Sequence, residues 1–200
     1  MAPTLSEDEI DDLIYLARVG ENDELKESLA ALAEREKVSH AEILIAAKDE
    51  GKSTALHMAT GNGHLEFLGN LHYETLTVAP PETVRELLRC FDGRPKEEKQ
   101  AFIDEANEHG NTGLHWAALG GHLDTVKLLM DHGASPALAN ERNYVPLDLA
   151  NFNDKREVAE YFLESAGMLE NNNEESGLAN AAESIELAGD EDDREQGEAA

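Results

Sequence analysis

Histidines are the first residues whose type and spacing invite chemistry. His57 and His64 recur as His115 and His122, seven residues apart in each pair. Imidazole is a common zinc ligand, but a metal site needs several ligands converging on one ion. The surrounding text repeats as well: STALHMATGNGHLE from Ser53 to Glu66 returns as NTGLHWAALGGHLD from Asn111 to Asp124. The histidines therefore recur because a framework recurs. His40, His109 and His132 carry no motif. The one cysteine, Cys90, ends the apolar helical stretch RELLRCF, where a buried thiol is the usual occupant. Gly61-Asn62-Gly63 has the composition of a phosphate cradle, yet it closes a helical stretch and follows no strand. Carboxylates are abundant, and none is set in apolar surroundings that would tune it as an acid or base. There is no Ser-His-Asp elbow, phosphate loop or paired-cysteine motif. The expectation is no catalytic residue, no metal ligand, no cofactor and no enzymatic activity.

The elements that position these residues form a repeat. Val145 follows Thr112 by 33 residues, and VPLDLAN lies under TGLHWAA. The copy from Asn107 to Ala139 is NEHGNTGLHWAALGGHLDTVKLLMDHGASPALA. Its period and its text resemble the ankyrin repeat over its whole length. Gly110, Thr112, Leu114-His115, Ala117-Ala118, Gly121-His122, Val126, Leu128-Leu129 and Gly133-Ala134 carry the resemblance. It implies an all-α fold: an ankyrin-repeat solenoid of about four helix-turn-helix units joined by β-hairpin loops. Gly110 suits a hairpin tip, where a backbone angle that other residues resist is required. Thr112 caps the first helix. Leu114, Ala117 and Ala118 share one helical face, and Gly121 and Gly133 end the two helices. In this family the first histidine of each pair hydrogen-bonds within and between repeats, and the second sits in the turn.

The terminal units read as caps. Residues 6–38 supply two helices broken at Gly20, with Ser6 and Glu9 spaced as a capping box. Leu13, Leu16 and Ala17 mark one apolar face, and Leu25, Leu29 and Leu32 the other. Residues 140–165 form a degenerate copy in which Pro146 and Leu147 remain and Asp148 replaces the histidine. Val158, Phe162 and Leu163 are its expected apolar side; Lys155, Arg156, Glu157, Glu160 and Glu164 suit a last face that meets water. The expected domain is 6–165, with repeats at 49–100 and 107–139 between the caps. Beyond it, residues 166–200 contain eleven acidic residues, one Arg and no aromatic, a composition expected to stay disordered.

The first internal copy is interrupted. Thr54 to Thr112 is an offset of 58, or 25 beyond one period. Removing residues 67–82 joins GHLE to TVRELLRC, which overlays GHLDTVKLLMDH. The other nine extra residues then fall in FDGRPKEEKQAFIDEAN, an inter-repeat loop. Three readings of 67–82 compete. It is a surface insertion; or LEFLGNLHYETL is the second helix and PPETVRELLRC an added one; or the stretch is translated intron. The clean join favours the last. No function is placed on it.

Composition bounds the partner. The chain has 200 residues, 43 acidic and 16 basic, for a net charge of −27. That opposes nucleic acid, whose binding depends on Lys and Arg neutralising phosphates, and it opposes anionic membrane. It favours a basic protein, against the plainer reading of a solvated surface. One cysteine suits a reducing compartment. No apolar run approaches membrane-spanning length, and MAPTLSEDEI lacks the pattern of a secretory signal.

The resemblance extends further. An acidic helical cap, STALHMA with its following NGH, a long spacer, AFIDEANEHGNTGLHWAALGGHLDTVKLL and an acidic tail are similar to the fungal ankyrin-repeat chaperones dedicated to small-subunit ribosomal protein three, the KH-domain protein. The similarity covers roughly 8–165, is strongest from Ala101 to Leu129, and is broken by 67–82. It implies a chaperone that binds a newly made basic client, keeps it soluble and escorts it through cytoplasm and nucleus toward pre-ribosome assembly. It would act as a monomer. The family's partner surface is the concave face of hairpin tips and first helices. Here those positions are Glu50, Gly51, Ser53, Met58, Gly61 and Asn62 in one copy. The next copy supplies Glu108, His109, Asn111, Trp116, Leu119 and Gly120, and the last Glu141, Arg142, Tyr144, Phe152 and Asn153. Trp116 is either framework packing or a partly exposed partner anchor. The alternative function is a generic protein-protein adaptor in signalling or transcription.

Overall fold

Helix boundaries follow capping chemistry. In the computed structural model the described residues are 2–61 and 81–173, and the chain separates into two units, Met1–Ala159 and Glu160–Ala200. In the first unit α1 (Glu7–Val19) starts at Ser6, whose hydroxyl accepts the Glu9 N–H while the Glu9 carboxylate accepts the Ser6 N–H. It stops at Gly20, which is left-handed at φ +80°. After α2 (Asn22–Glu36) come α3 (His40–Ala46), α4 (Ala55–Thr60), α5 (Pro81–Arg89), α6 (Lys96–Ile103), α7 (Gly113–Gly120), α8 (Leu123–Asp131) and α9 (Pro146–Phe152). The first helices stack in one row, α1 on α4, α4 on α7 and α7 on α9, and α5 packs on α8 behind them. Small side chains allow the stacking. Ala59, Ala117, Ala118 and Ala150 are all buried beside Leu56 and Leu114. At Gly61 a Cβ would sit 3.0 Å from both the Trp116 Cβ and the His57 carbonyl, a tight fit that glycine avoids.

The hairpins share one wiring. Asp49 N–H donates to the Ser53 carbonyl at 3.0 Å, Asn107 to Asn111 at 2.9 Å, and Asn140 to Tyr144 at 2.9 Å. The leading Asp or Asn side chain also accepts from the residue four on, at 2.7, 3.0 and 3.0 Å. Each tip needs one left-handed residue: Lys52 (φ 60°), Gly110 (φ 76°) and Asn143 (φ 62°). Among the described residues the hairpins form no strand, only the isolated Lys48–Thr54 bridge. They are connected in series, Glu108 N–H to the Gly51 carbonyl at 2.8 Å and Glu141 N–H to the His109 carbonyl at 3.0 Å.

Two helices were not anticipated. The expected loop FDGRPKEEKQAFIDEAN contains α6, and α3 lies in the junction before the first hairpin. Phe91 and Phe102 stack at 4.7 Å and are buried, which gives α6 a core of its own. Arg94 ties the two junctions together, donating to Ser39 Oγ at the start of α3 (2.7 Å) and to Glu98 in α6 (2.6 Å). From α6, Gln100 reaches the Gly133 carbonyl (2.6 Å), and Asp104 at its end accepts from Ser135 N–H (2.9 Å). A linker row thus runs behind the helix pairs.

Residues 67–80 of the interrupting stretch lie outside the described residues. Pro81 and Glu82 open α5, with Pro81 in the first turn where its missing N–H costs nothing. α5 packs on both α4 and α8, so PPETVRELLRC occupies the place of the second helix and is not an added one.

The second unit contains the remainder of α10 (Arg156–Asn173). Helix therefore continues past Ser165, into residues expected to be tail; residues 174–200 lie outside the described set. Phe162 is buried but Leu163 is 59 % exposed, against the expectation that both face inward. Phe162 follows Val158 by four residues and shares its face, whereas Leu163 is turned about 100° further round.

Candidate functional site

The buried histidines set the frame on which the exposed residues sit. His115 Nδ1 accepts the Thr112 N–H at 3.1 Å and lies 2.9 Å from Thr112 Oγ1, so Nε2 carries the proton and donates to the Tyr144 carbonyl at 3.1 Å. His57 repeats this, with Thr54 N–H at 3.1 Å on Nδ1 and the Asn111 carbonyl 2.9 Å from Nε2. Each ring caps its own helix and holds the next hairpin. Asp148 keeps only the first half: its carboxylate accepts the Val145 N–H at 3.0 Å. Burial pushes both imidazoles below their ordinary value near 6.5.

That depression makes stability pH-dependent. The unfolded chain takes up protons below about pH 6.5, where the folded rings still resist them, so the unfolded state binds more protons and gains. Protonation would also place an N–H on Nδ1 against the Thr N–H that it accepts. The contribution is complete above pH 6.5 and is lost as pH falls from there toward the lowered folded values. Thermal melts should show the midpoint decreasing between pH 7 and pH 5, before carboxylates begin to titrate. A flat midpoint over that range would refute the assignment.

On this frame the last two hairpins and first helices enclose an open cleft of about 390 Å³. From the expected surface it gathers His109, Asn111, Trp116 and Leu119 of one copy and Glu141, Arg142, Tyr144 and Phe152 of the next. Tyr144 and Phe152 meet edge-to-face at 5.0 Å. Asn140, His115 and Leu149 also line it and were not anticipated. Asn140 was legible as the counterpart of Asn107 one period earlier.

Glu50 and Gly51 sit elsewhere, in a second depression with Glu7, Asp11 and Asp49. Its one cation, Lys48, is paired with Glu105 at 2.7 Å. Glu7 and Asp11 were missed, although their i,i+4 spacing puts them on one helical face. Glu108 is exposed, with His109 Nε2 3.5 Å away. Met58, Gly61 and Gly120 are half-buried. Asn153 turns its amide back to the Leu149 carbonyl at 2.8 Å and is not in the cleft. Ser53 must be withdrawn: it is buried at 7 % exposure, with both backbone groups engaged by Asp49. Asn62 lies outside the described residues. Cys90 is half-buried and its thiol is pushed up to about 11, first by burial and then by Glu86, so it stays protonated.

Comparison with known proteins adds to this geometry. The family model "Ankyrin repeats (3 copies)" matches residues 71–174. Ankyrin repeat-containing protein YAR1 of Saccharomyces cerevisiae is 33 % identical over 185 residues, covering 92 % of this chain and 82 % of that protein. A solved structure, the yeast ribosomal protein Rps3 in complex with its chaperone Yar1, matches with TM-score 0.66 at 38 % identity, over 81 % of this chain and 95 % of the matched chain. The E3 ubiquitin-protein ligase XBAT32 of Arabidopsis thaliana is 35 % identical, but over only 48 % of this chain and 19 % of its own length. Among the described residues no helix is long and apolar enough to cross a membrane.

Proposed function

The chain belongs to the ankyrin-repeat family, and from that premise we propose that it is a dedicated chaperone of small-subunit ribosomal protein three. It binds the newly made basic client, keeps it soluble and escorts it through cytoplasm and nucleus to pre-ribosome assembly. One observation carries the reading: similarity to the yeast chaperone spans 92 % of this chain and 82 % of that protein. A match restricted to the repeats, as with the ligase, would indicate a shared scaffold only. Charge supports it. A ribosomal protein rich in Lys and Arg for RNA aggregates while those groups are unpaired. A partner of net charge −27 offers them carboxylates. The chaperone acts without catalysis, and RNA, the stronger polyanion, displaces it by competition.

Mixing the purified chain with purified ribosomal protein three at low ionic strength tests this. The expected result is a stable complex and suppressed precipitation. Affinity should fall about tenfold or more between about 0.1 and 1 M salt, as the screening length shrinks from about 10 to 3 Å. Precipitation unchanged by the chain, with no complex, would remove the reading. A complex indifferent to salt would favour an apolar adaptor interface.

A further inference from the structure

We infer that the cleft between the last two hairpins receives an apolar side chain of the partner flanked by a carboxylate, the opposite sign to the charge that the rest of the face attracts. The inference rests on the chaperone reading for the partner's identity, not for the chemistry of the cleft. Tyr144 and Phe152 are 37 % and 64 % exposed, and their edge-to-face contact leaves ring surface open to solvent beside Trp116, Leu119 and Leu149. An apolar side chain seated there covers surface that now meets water. At the rim, Arg142 is exposed, and among the described residues its guanidinium has no ion-pair or hydrogen-bond partner, although Glu141 is its neighbour in sequence. Cations lining other depressions are engaged: Lys48 with Glu105, Lys26 with Glu86 at 3.2 Å, and Lys99 with Asp92 at 3.8 Å. In a chain of net charge −27, an unmatched arginine beside open aromatic surface is complementary to an acidic-apolar segment. Glu50 and Glu108 on the earlier hairpin tips lie outside this cleft and attract basic residues, while Glu141 lines it beside Arg142. The two signs together fix the partner's direction along the face.

Trp116 is the only tryptophan and lines the cleft, so its fluorescence reports occupancy. Two short Gly/Ser peptides, identical except that a central Phe is flanked by Glu in one and Lys in the other, are titrated into the full chain. The Glu peptide should bind about fivefold tighter, the scale of one exposed ion pair. Arg142→Glu should reverse the order, with the thermal midpoint unchanged because the side chain is exposed. The same variant should bind ribosomal protein three more weakly, although added negative charge alone would tighten it. The inference is overturned if wild type prefers the Lys peptide, if neither peptide alters the fluorescence, or if Arg142→Glu leaves the order or the client affinity unchanged. Peptides that rank as expected beside a client that does not bind would remove the chaperone reading and leave the cleft.

Discussion

Replacing His115 by alanine is expected to destabilise the protein by about 3 kcal/mol, because two hydrogen bonds and a fully buried ring disappear together. The Thr112 N–H loses its acceptor and the Tyr144 carbonyl its donor. Each buried polar group left unpaired costs about 1–3 kcal/mol, and partial access of water at Tyr144 brings the sum toward the middle of the range. A loss of that size is a large share of the roughly 5–15 kcal/mol by which a domain is stable. His115→Asp supplies a control drawn from the chain itself. Asp148 caps α9 through its carboxylate without reaching a further repeat, so the aspartate variant should keep the cap, lose the link to Tyr144 and fall between wild type and alanine. Urea unfolding followed by circular dichroism measures all three. An alanine variant within 1 kcal/mol of wild type would mean that the ring does not hold the hairpin.

Reversing Glu50, Glu108 and Glu141 to lysine should weaken client binding by about a hundredfold at low salt. Each exposed pair is worth about 0.2–1 kcal/mol, reversal replaces attraction by repulsion, and three such changes add to somewhat under 3 kcal/mol. All three side chains are exposed, so melting temperature should change little and the loss is assignable to the surface. The variant should also respond less to added salt. Calorimetric titration against ribosomal protein three decides it; affinity within threefold of wild type would place the client on another face.

The parts of the fold written in repeat-specific letters were legible before any coordinates. The resemblance carried by Gly110, Thr112, His115 and Gly121 implies the hairpin, the helix start and the turn. The linker helices were harder to see because they belong to no period. α3 nevertheless carried a local signal: Ser39 and Glu42 form a capping box as complete as that of Ser6 and Glu9. α6 begins after Pro95 with Glu97 and Glu98 in its first turn, a pattern that reads as helix start once the loop assumption is dropped. The candidate surface was legible by position and less so by depth. Period alone could not tell that Ser53 is enclosed while Glu50 and Lys52 are open; both its backbone groups are turned inward to Asp49. Nor could it tell that Asn153 bonds its own helix. The pairing of Tyr144 with Phe152 joins the end of the last hairpin to the far end of α9, eight residues on, a contact that no linear template contains.

The linker row has a mechanical consequence. Two junctions of the first unit contain a helix, α3 or α6, whereas the third, between α8 and α9, contains none. That third junction therefore relies on hairpin and first-helix contacts, with Glu141 N–H on the His109 carbonyl at 3.0 Å, the His115 ring on the Tyr144 carbonyl at 3.1 Å and α7 packed on α9. The cleft lined by Tyr144 and Phe152 opens across this junction, so a guest seated there adds contacts between the last two repeats.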